Sequence, residues 1–435
     1  MFKTRDVVQL SLTTHYFFDM KKKIIVIGGG FAGLQFIKNL KPGMFEVVLI
    51  DRLNHHQFQP LFYQVATSQI EPTSISFPLR KIFQDRKDVT VRMAEVLAAD
   101  PQNMKVTSTA GTFEYDYLVI ASGGKTNYYG NNELEKHTLS LKTTYEAIKI
   151  RNEILENFEN ILNSGSNADE GLFNIVVVGG GPTGVELSGA FAEIKRDILP
   201  KDFPGIDFSR LKIHLLEGGD HTLNTMSDLA KRSSEKYLKS LGVQLRTGVF
   251  VRNYDGSILQ LSNGEHLESK NVIWTAGITG NLINGLSQEV TAPGKRLRVD
   301  RTNRVEGYEN IYAIGDIAYM ETPKYPKGHP QVANVAINQG KNLAHNFTRM
   351  FKGGKLAEYE YRDLGSMATV GRNKAIVDLP LVSFHGYLAW YFWMFLHLML
   401  ILSVRNKLII FINWAWNYIT KNSSLRLILK IDPDK

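Results

Sequence analysis

Two parts of the chain repeat one pattern of apolar and polar positions. Residues 22–27 are an apolar run opened by lysines, and three glycines follow. Residues 31–40 then carry apolar side chains at helical spacing, and residues 46–50 form a second apolar run ending at Asp51. The same order returns in residues 173–178, Gly179-Gly180-Gly181, residues 184–198 and residues 211–216, which end at Glu217. Short, nearly continuous apolar runs alternating with helical stretches predict parallel strands covered on both faces, hence an α/β fold. Between the two rounds, residues 115–121 read as a buried strand leaving through Ser122-Gly123-Gly124, and residues 143–162 as a helix. Residues 163–170, rich in Gly, Ser and Asn, read as a linker. Residues 271–275 and 310–314 are further strands, followed by Ala276-Gly277 and Gly315-Asp316. The chain thus enters a second domain and returns to the first.

The glycines bring in chemistry. Gly28, Gly30 and Gly33 have G-x-G-x-x-G spacing between a strand and a helix, where backbone N–H groups and the helix dipole can meet a pyrophosphate. Asp51, 23 residues beyond Gly28, is placed to hold ribose hydroxyls. Gly179, Gly181 and Gly184 repeat the spacing, but Glu217 lies 38 residues beyond Gly179 instead of the usual ~20. The excess falls in residues 199–210, an inserted loop rich in proline and charge. A carboxylate there repels a 2′-phosphate, which favours NADH over NADPH. Two such turns call for two dinucleotides. FAD and NADH are the pair that makes chemistry, since hydride passes from nicotinamide C4 to flavin N5.

The expected architecture is therefore two Rossmann-like dinucleotide-binding domains with a C-terminal helical appendage. Residues 1–20 are an N-terminal extension, expected to be disordered, or else residues 1–19 precede a true start at Met20. Residues 21–165 and 291–380 make the FAD-binding domain, residues 166–290 the NADH-binding domain, and residues 381–435 a membrane-anchoring region.

Composition narrows the function. The 435 residues contain no cysteine, which excludes disulfides, iron–sulfur clusters and any thiol redox pair. Adjacent His55 and His56 have poor spacing for a metal, so they are read as structural and no metal is expected. Of the net charge of +8, residues 1–23 carry +3 and residues 405–435 carry +4, so the body is nearly neutral. Basic ends beside apolar segments suit an anionic lipid surface better than nucleic acid. The apolar run 386–404, broken only by His397 and Ser403, has the length of a membrane span. A span would separate the basic residues Arg405, Lys407, Lys421, Arg426 and Lys430 from the NADH-binding body, although both belong on the cytoplasmic side. An in-plane, monotopic anchor satisfies both, with Trp390, Trp393, Trp414 and Trp416 at the interface. The stretch before Met20 lacks a continuous apolar core, so the protein is expected on the cytoplasmic face.

The ordered motifs, from the first glycine turn through Ser122-Gly123-Gly124 and the second turn to Tyr312-Ala313-Ile314-Gly315-Asp316, resemble the two-dinucleotide-binding flavoprotein superfamily. Within it, the run from Asp51 to Tyr63-Gln64-Val65-Ala66-Thr67 and Gly181-Pro182-Thr183-Gly184-Val185-Glu186-Leu187 are similar to the type II NADH dehydrogenases. The resemblance implies that Gly315 and Asp316 hold the flavin, Asp316 through its ribityl chain. It also implies that Glu186 stands where the NADH and quinone sites meet; a role in protonating reduced quinone is expected of it. The family's quinone motif, Ala-Gln-x-Ala-x-Gln-Gln-Gly, reads here Ala333-Asn334-Val335-Ala336-Ile337-Asn338-Gln339-Gly340, so Asn334, Asn338 and Gln339 are the expected contacts, with Lys374 nearby. Electrons are then expected to pass from NADH through FAD to menaquinone or ubiquinone without proton pumping. Soluble reductases of ferredoxin or rubredoxin and an apoptosis-inducing-factor-like binding role are the alternatives. The quinone's identity and homodimerisation stay open.

Overall fold

The computed structural model describes residues 21–423 and 425–429; the N-terminal extension and the terminal charges Lys430, Asp432, Asp434 and Lys435 lie outside them. Strand β1 (Lys23–Ile27) turns through Gly28–Gly30 into helix α1 (Phe31–Asn39) and returns as β2 (Glu46–Asp51). A short helix α2 (Phe62–Ala66) precedes β3 (Val89–Met93) and β4 (Tyr117–Ile120). Strand β5 (Leu139–Ser140) leads into the long helix α3 (Thr144–Ser164). The second round comprises β6 (Asn174–Val178), α4 (Pro182–Asp197), β7 (Lys212–Leu216), α5 (Asp228–Ser240), β8 (Gln244–Arg246) and β9 (Asn271–Trp274). The chain then returns through β10 (Ile311–Ala313) and α6 (Ala333–Phe351). Strands β11 (Ser366–Thr369), β12 (Ala375–Asp378) and β13 (Ser383–Gly386) and helices α7 (Tyr387–Leu400) and α8 (Val404–Thr420) follow.

The two large sheets are parallel and share one plan, in the orders β10-β4-β1-β2-β3 and β5-β9-β6-β7-β8. The first strand of each round lies at the centre. Ile24, Ile25 and Val26 of β1 and Val176 and Val177 of β6 are fully buried, which is why both strands read as unbroken apolar runs. Each such side chain contributes about 1.5–3 kcal/mol by leaving water.

The domain boundaries differ from those expected. Leu139–Ser140, assigned to the first domain, pairs with Ile273 and Trp274 of the second sheet. The chain crosses between domains at two antiparallel segments, Gly124–Thr126 and Ile278–Gly280, well before residues 165 and 290. Segments of two or three residues carry too little periodicity to be seen in sequence.

The 19-residue apolar run is not one helix. It breaks at Ile401, whose extended backbone (φ −65°, ψ 133°) ends α7, and α8 starts after Ser403. At 1.5 Å per residue, fourteen residues of α7 cover about 21 Å, short of a ~30 Å hydrocarbon core. No helix of the described residues is long and apolar enough to cross a membrane.

Candidate functional site

Helices α1 and α4 start alike. Their N-cap residues, Gly30 and Gly181, have extended backbone, and no side chain caps the first turn of either helix. Threonine and serine cap α3 and α5 instead. Free N–H groups at an uncapped turn are the usual holder of a pyrophosphate. The approach of helix to strand is tight: a Cβ on Gly33 would lie 2.0 Å from the Gly28 carbonyl oxygen, and one on Gly184 1.9 Å from that of Gly179. Nothing lies within 4 Å of a Cβ built on Gly30 or Gly181, so both face open space.

The acid at each strand end is placed the same way. The Asp51 carboxylate accepts the Gly29 N–H at 2.6 Å, and Glu217 accepts the Gly180 N–H at 2.5 Å. Each uses its second oxygen two residues on, from Leu53 N–H at 2.7 Å and Gly219 N–H at 2.6 Å. The longer spacing to Glu217 thus leaves the geometry unchanged, because residues 199–210 pack outside the sheet, beginning with the short helix Leu199–Asp202.

The first turn opens on a cleft of ≈ 1010 Å³ lined by Gly28, Gly30, Asp51, Lys142, Gly315 and Asp316. Burial raises the Asp316 carboxyl above its ordinary range, opposed by the charges of Lys142 and Arg296. Burial likewise raises Asp51, against the Gly29 and Leu53 hydrogen bonds. Size, free N–H groups and two acids fit FAD. His56, held at about 4 by burial, is neutral and donates its Nδ1 proton to the Gly29 carbonyl at 2.9 Å, which supports the turn.

A second, smaller cavity of ≈ 100 Å³ lies beneath α7 and α8. Its floor is α4, which presents Glu186 and Glu193 two turns apart on one face. Burial pushes the Glu186 carboxyl up to about 8; the Thr369 N–H, 3.3 Å from its Oε1, pulls the other way. The Trp393 indole also favours the ionised form without completing a hydrogen bond. Glu193 is raised by burial as well, while it accepts the Arg372 N–H at 2.5 Å. Above the floor runs a hydrogen-bond chain. The Trp414 indole donates to Gln64 Oε1 (2.8 Å), Gln64 Nε2 to Tyr63 Oη (3.0 Å), and Tyr63 pairs with Thr369 Oγ1 (3.0 Å). Because indole is only a donor, the amide orientation of Gln64 is fixed, and its Nε2 donates to Tyr63 Oη. Rings of Phe31, Phe58, His397 and Trp393 lie in contact between the two cavities, at centroid separations of 5.9, 6.4 and 4.0 Å.

Several expected residues do not meet here. None of Asn334, Asn338 and Gln339 lines the cavity beside Glu186. Asn338 donates to Asn334 Oδ1 at 2.7 Å, and fully buried Gln339 accepts the Gly315 N–H at 2.8 Å. The motif packs α6 on α1: a Cβ on Gly340 would lie 2.4 Å from the Ala32 carbonyl oxygen. Lys374 points the other way, to Ser240 on α5 at 3.0 Å; the hairpin turn after β11 sends Arg372 to the cavity instead. Two of the four tryptophans assigned to the membrane are interior. Trp393 is 1% and Trp414 8% exposed, because both roof the Glu186 cavity. Trp390 also lines that cavity, and Trp416 alone stands out, 61% exposed. Sequence reasoning gave no role to Tyr63, Gln64, Lys142, Glu193, Thr369 or Arg372. The seven-residue step from Glu186 to Glu193 on a predicted helix was the available signal for one of them.

The pyridine nucleotide-disulphide oxidoreductase family model matches residues 22–340, and that of the NDH2 C-terminal domain residues 364–421. The type II NADH:quinone oxidoreductase Ndh of Mycobacterium tuberculosis is 31% identical over 92% of this chain and 89% of its own length. That of Staphylococcus saprophyticus is 28% identical over 82% and 89%. Among solved structures, NDH2 from Plasmodium falciparum in complex with NADH has a TM-score of 0.86 at 22% identity, covering 94% of this chain and 100% of that one. A sulfide:quinone oxidoreductase from Aquifex aeolicus shares the fold at a TM-score of 0.71 and 20% identity, over 92% and 96%. The disulphide in the family's description has no counterpart here, where cysteine is absent. Matching along nearly its whole length, the chain belongs to the pyridine nucleotide-disulphide oxidoreductases and, among them, to the type II NADH dehydrogenases.

Proposed function

We propose that this protein oxidises NADH and reduces a membrane quinone through FAD, without pumping protons. One observation carries the reading: helix α4 begins at the uncapped Gly179–Gly184 turn and, on its first turns, buries a carboxyl that faces the cavity under the C-terminal helices. When bound, FAD would supply the redox chemistry, hydride transfer from nicotinamide and two-electron delivery to quinone. The Gly28 turn and the α1 N-terminus would hold the flavin's pyrophosphate, Asp51 its adenosine ribose, and Asp316 the ribityl chain. The Gly179 turn and Glu217 hold NADH in the same manner. Glu186, protonated near neutrality, gives its proton to a quinone oxygen as the electrons arrive. With NADH and one further proton consumed, NAD⁺ and quinol leave in balance. Tyr63, Gln64 and Thr369 position the quinone head beside Glu186, and Trp390, Trp393 and Trp414 exclude water.

The outer faces of α7 and α8 carry exposed Leu388, Phe395, Phe411, Ile412, Trp416 and Ile419. They lie in the plane of an anionic membrane, on its cytoplasmic side, and bring the cavity to the quinone. The test is anaerobic: the yellow protein is reduced with NADH, and a menaquinone analogue is added while flavin absorbance is followed. Prompt reoxidation is expected. Failure of quinone to reoxidise the flavin, with prompt reoxidation by a small electron-transfer protein, would overturn the choice of acceptor.

A further inference from the structure

Phe250 has no role in folding that its position explains. Its ring is 62% exposed, more than any other described phenylalanine before the C-terminal helices. Yet it is not loose. The Phe250 N–H donates to Ser262 Oγ at 3.0 Å, and its carbonyl accepts the Ser262 N–H at 2.8 Å. The two residues before it are tied to the acidic loop after β7: Val249 N–H donates to the Glu217 carbonyl at 3.0 Å, and Gly248 N–H to that of Gly219 at 2.8 Å. These bonds lay the ring on the backbone of Gly218, where a Cβ would lie 2.3 Å from a ring carbon. A side chain at 218 would push the ring off this seat, so the glycine is what lets an exposed aromatic lie here.

The ring stands one residue from the Glu217 carboxylate, whose oxygens hold the Gly180 and Gly219 N–H groups. On the reading given above, from which this inference follows, that carboxylate faces the hydroxyls of the adenosine ribose. The base leaves the same sugar at its first carbon and must come to rest within one ring's breadth of the acid. We propose that Phe250 is the stacking platform for the adenine of NADH, held flat by Gly218. Stacking on an aromatic face is sequence-tolerant and needs no hydrogen-bond partner. It also fits the near absence of hydrogen-bonding side chains offered by the ring's own segment, Gly248-Val249-Phe250.

Flavin-loaded wild type and the variants Phe250→Ala and Phe250→Trp are titrated calorimetrically with ADP-ribose, which carries the adenine and no nicotinamide. Steady-state KM is then measured for NADH and for reduced nicotinamide mononucleotide, which lacks adenine. Loss of the platform is expected to weaken ADP-ribose about tenfold, within the range of one base stacked on one aromatic side chain. The Trp variant is expected to bind within about twofold of wild type, and the mononucleotide KM to be equal in all three proteins. Unchanged ADP-ribose affinity in Phe250→Ala overturns the platform while leaving the NADH site standing. An equal loss with the mononucleotide also overturns it, since the ring would then act on folding rather than on adenine. Absence of ADP-ribose binding to wild type overturns both this inference and the placement of NADH at the second glycine turn.

Discussion

Replacement of Glu186 by glutamine separates the electrostatic cost of the buried acid from its shape. The carboxyl is 8% exposed and holds its proton up to about 8, against an ordinary 4.5. A carboxyl raised in the folded state binds a proton that the unfolded chain has released. Its contribution to stability is complete below pH 4.5, falls as pH rises, and is lost above about 8. Ionising it inside the fold at pH 9 costs about 5 kcal/mol at most, from 1.36 kcal/mol for each tenfold step in proton affinity; water entering the cavity lowers that figure. Glutamine is nearly isosteric, keeps an oxygen to accept the Thr369 N–H, and carries no charge. Asp51, Glu193 and Asp316, raised in the same direction, are present in both proteins and cancel in the difference. Urea unfolding with saturating FAD at pH 5, 7 and 9 reads the effect. Equal stability within about 1 kcal/mol at pH 5, and a variant several kcal/mol more stable at pH 9, are expected. A gap that is the same at all three pH values would refute the account, because it would mean that the acid is solvated. The same variant is expected to reduce quinone more slowly while its flavin is reduced by NADH at the wild-type rate, as followed by stopped flow.

Three further outcomes are expected. Gly33→Ala puts a methyl 2.0 Å from the Gly28 carbonyl oxygen, so α1 cannot close on the turn; the purified variant should lack flavin absorbance. Trp414→Phe leaves Gln64 Oε1, now its acceptor at 2.8 Å, without a donor in a buried site, a loss of about 1–3 kcal/mol. The quinone KM should rise with the NADH KM unchanged, in steady-state assays varying each substrate. Leu388→Glu with Phe395→Glu places two charges on side chains 71% and 63% exposed. Sedimentation with anionic vesicles should be lost, whereas reduction of a water-soluble quinone should persist.

What could be read from sequence, and what could not, follows from how far each signal reaches along the chain. Parallel strands buried on both faces leave a continuous apolar run, so β1, β2, β6 and β7 and their glycine turns were legible to within a residue or two. Glu217 was legible despite its distance because strand ends, rather than residue counts, set its place. Chain crossings made by Gly124–Thr126 and Ile278–Gly280 were not, since three residues define no period. The C-terminal helices mark a different boundary. Helix α7 is apolar nearly all round, so its sequence has no polar face to show which side meets the protein. Counting aromatics there could only predict an anchor. What decides that Trp393 turns inward is the space above Glu186, bounded also by Tyr63, and both of these lie more than 200 residues away from it in sequence. Lys374 fails for a related reason: the hairpin turn after β11 points Arg372 and Lys374 to opposite sides, and only the packed neighbours distinguish them. A residue that must face a particular cavity is therefore fixed by long-range packing, whereas a residue that must face a bound dinucleotide's phosphates is fixed by its own turn. That is why the two glycine turns were legible from the chain alone and most of the residues around Glu186 were not.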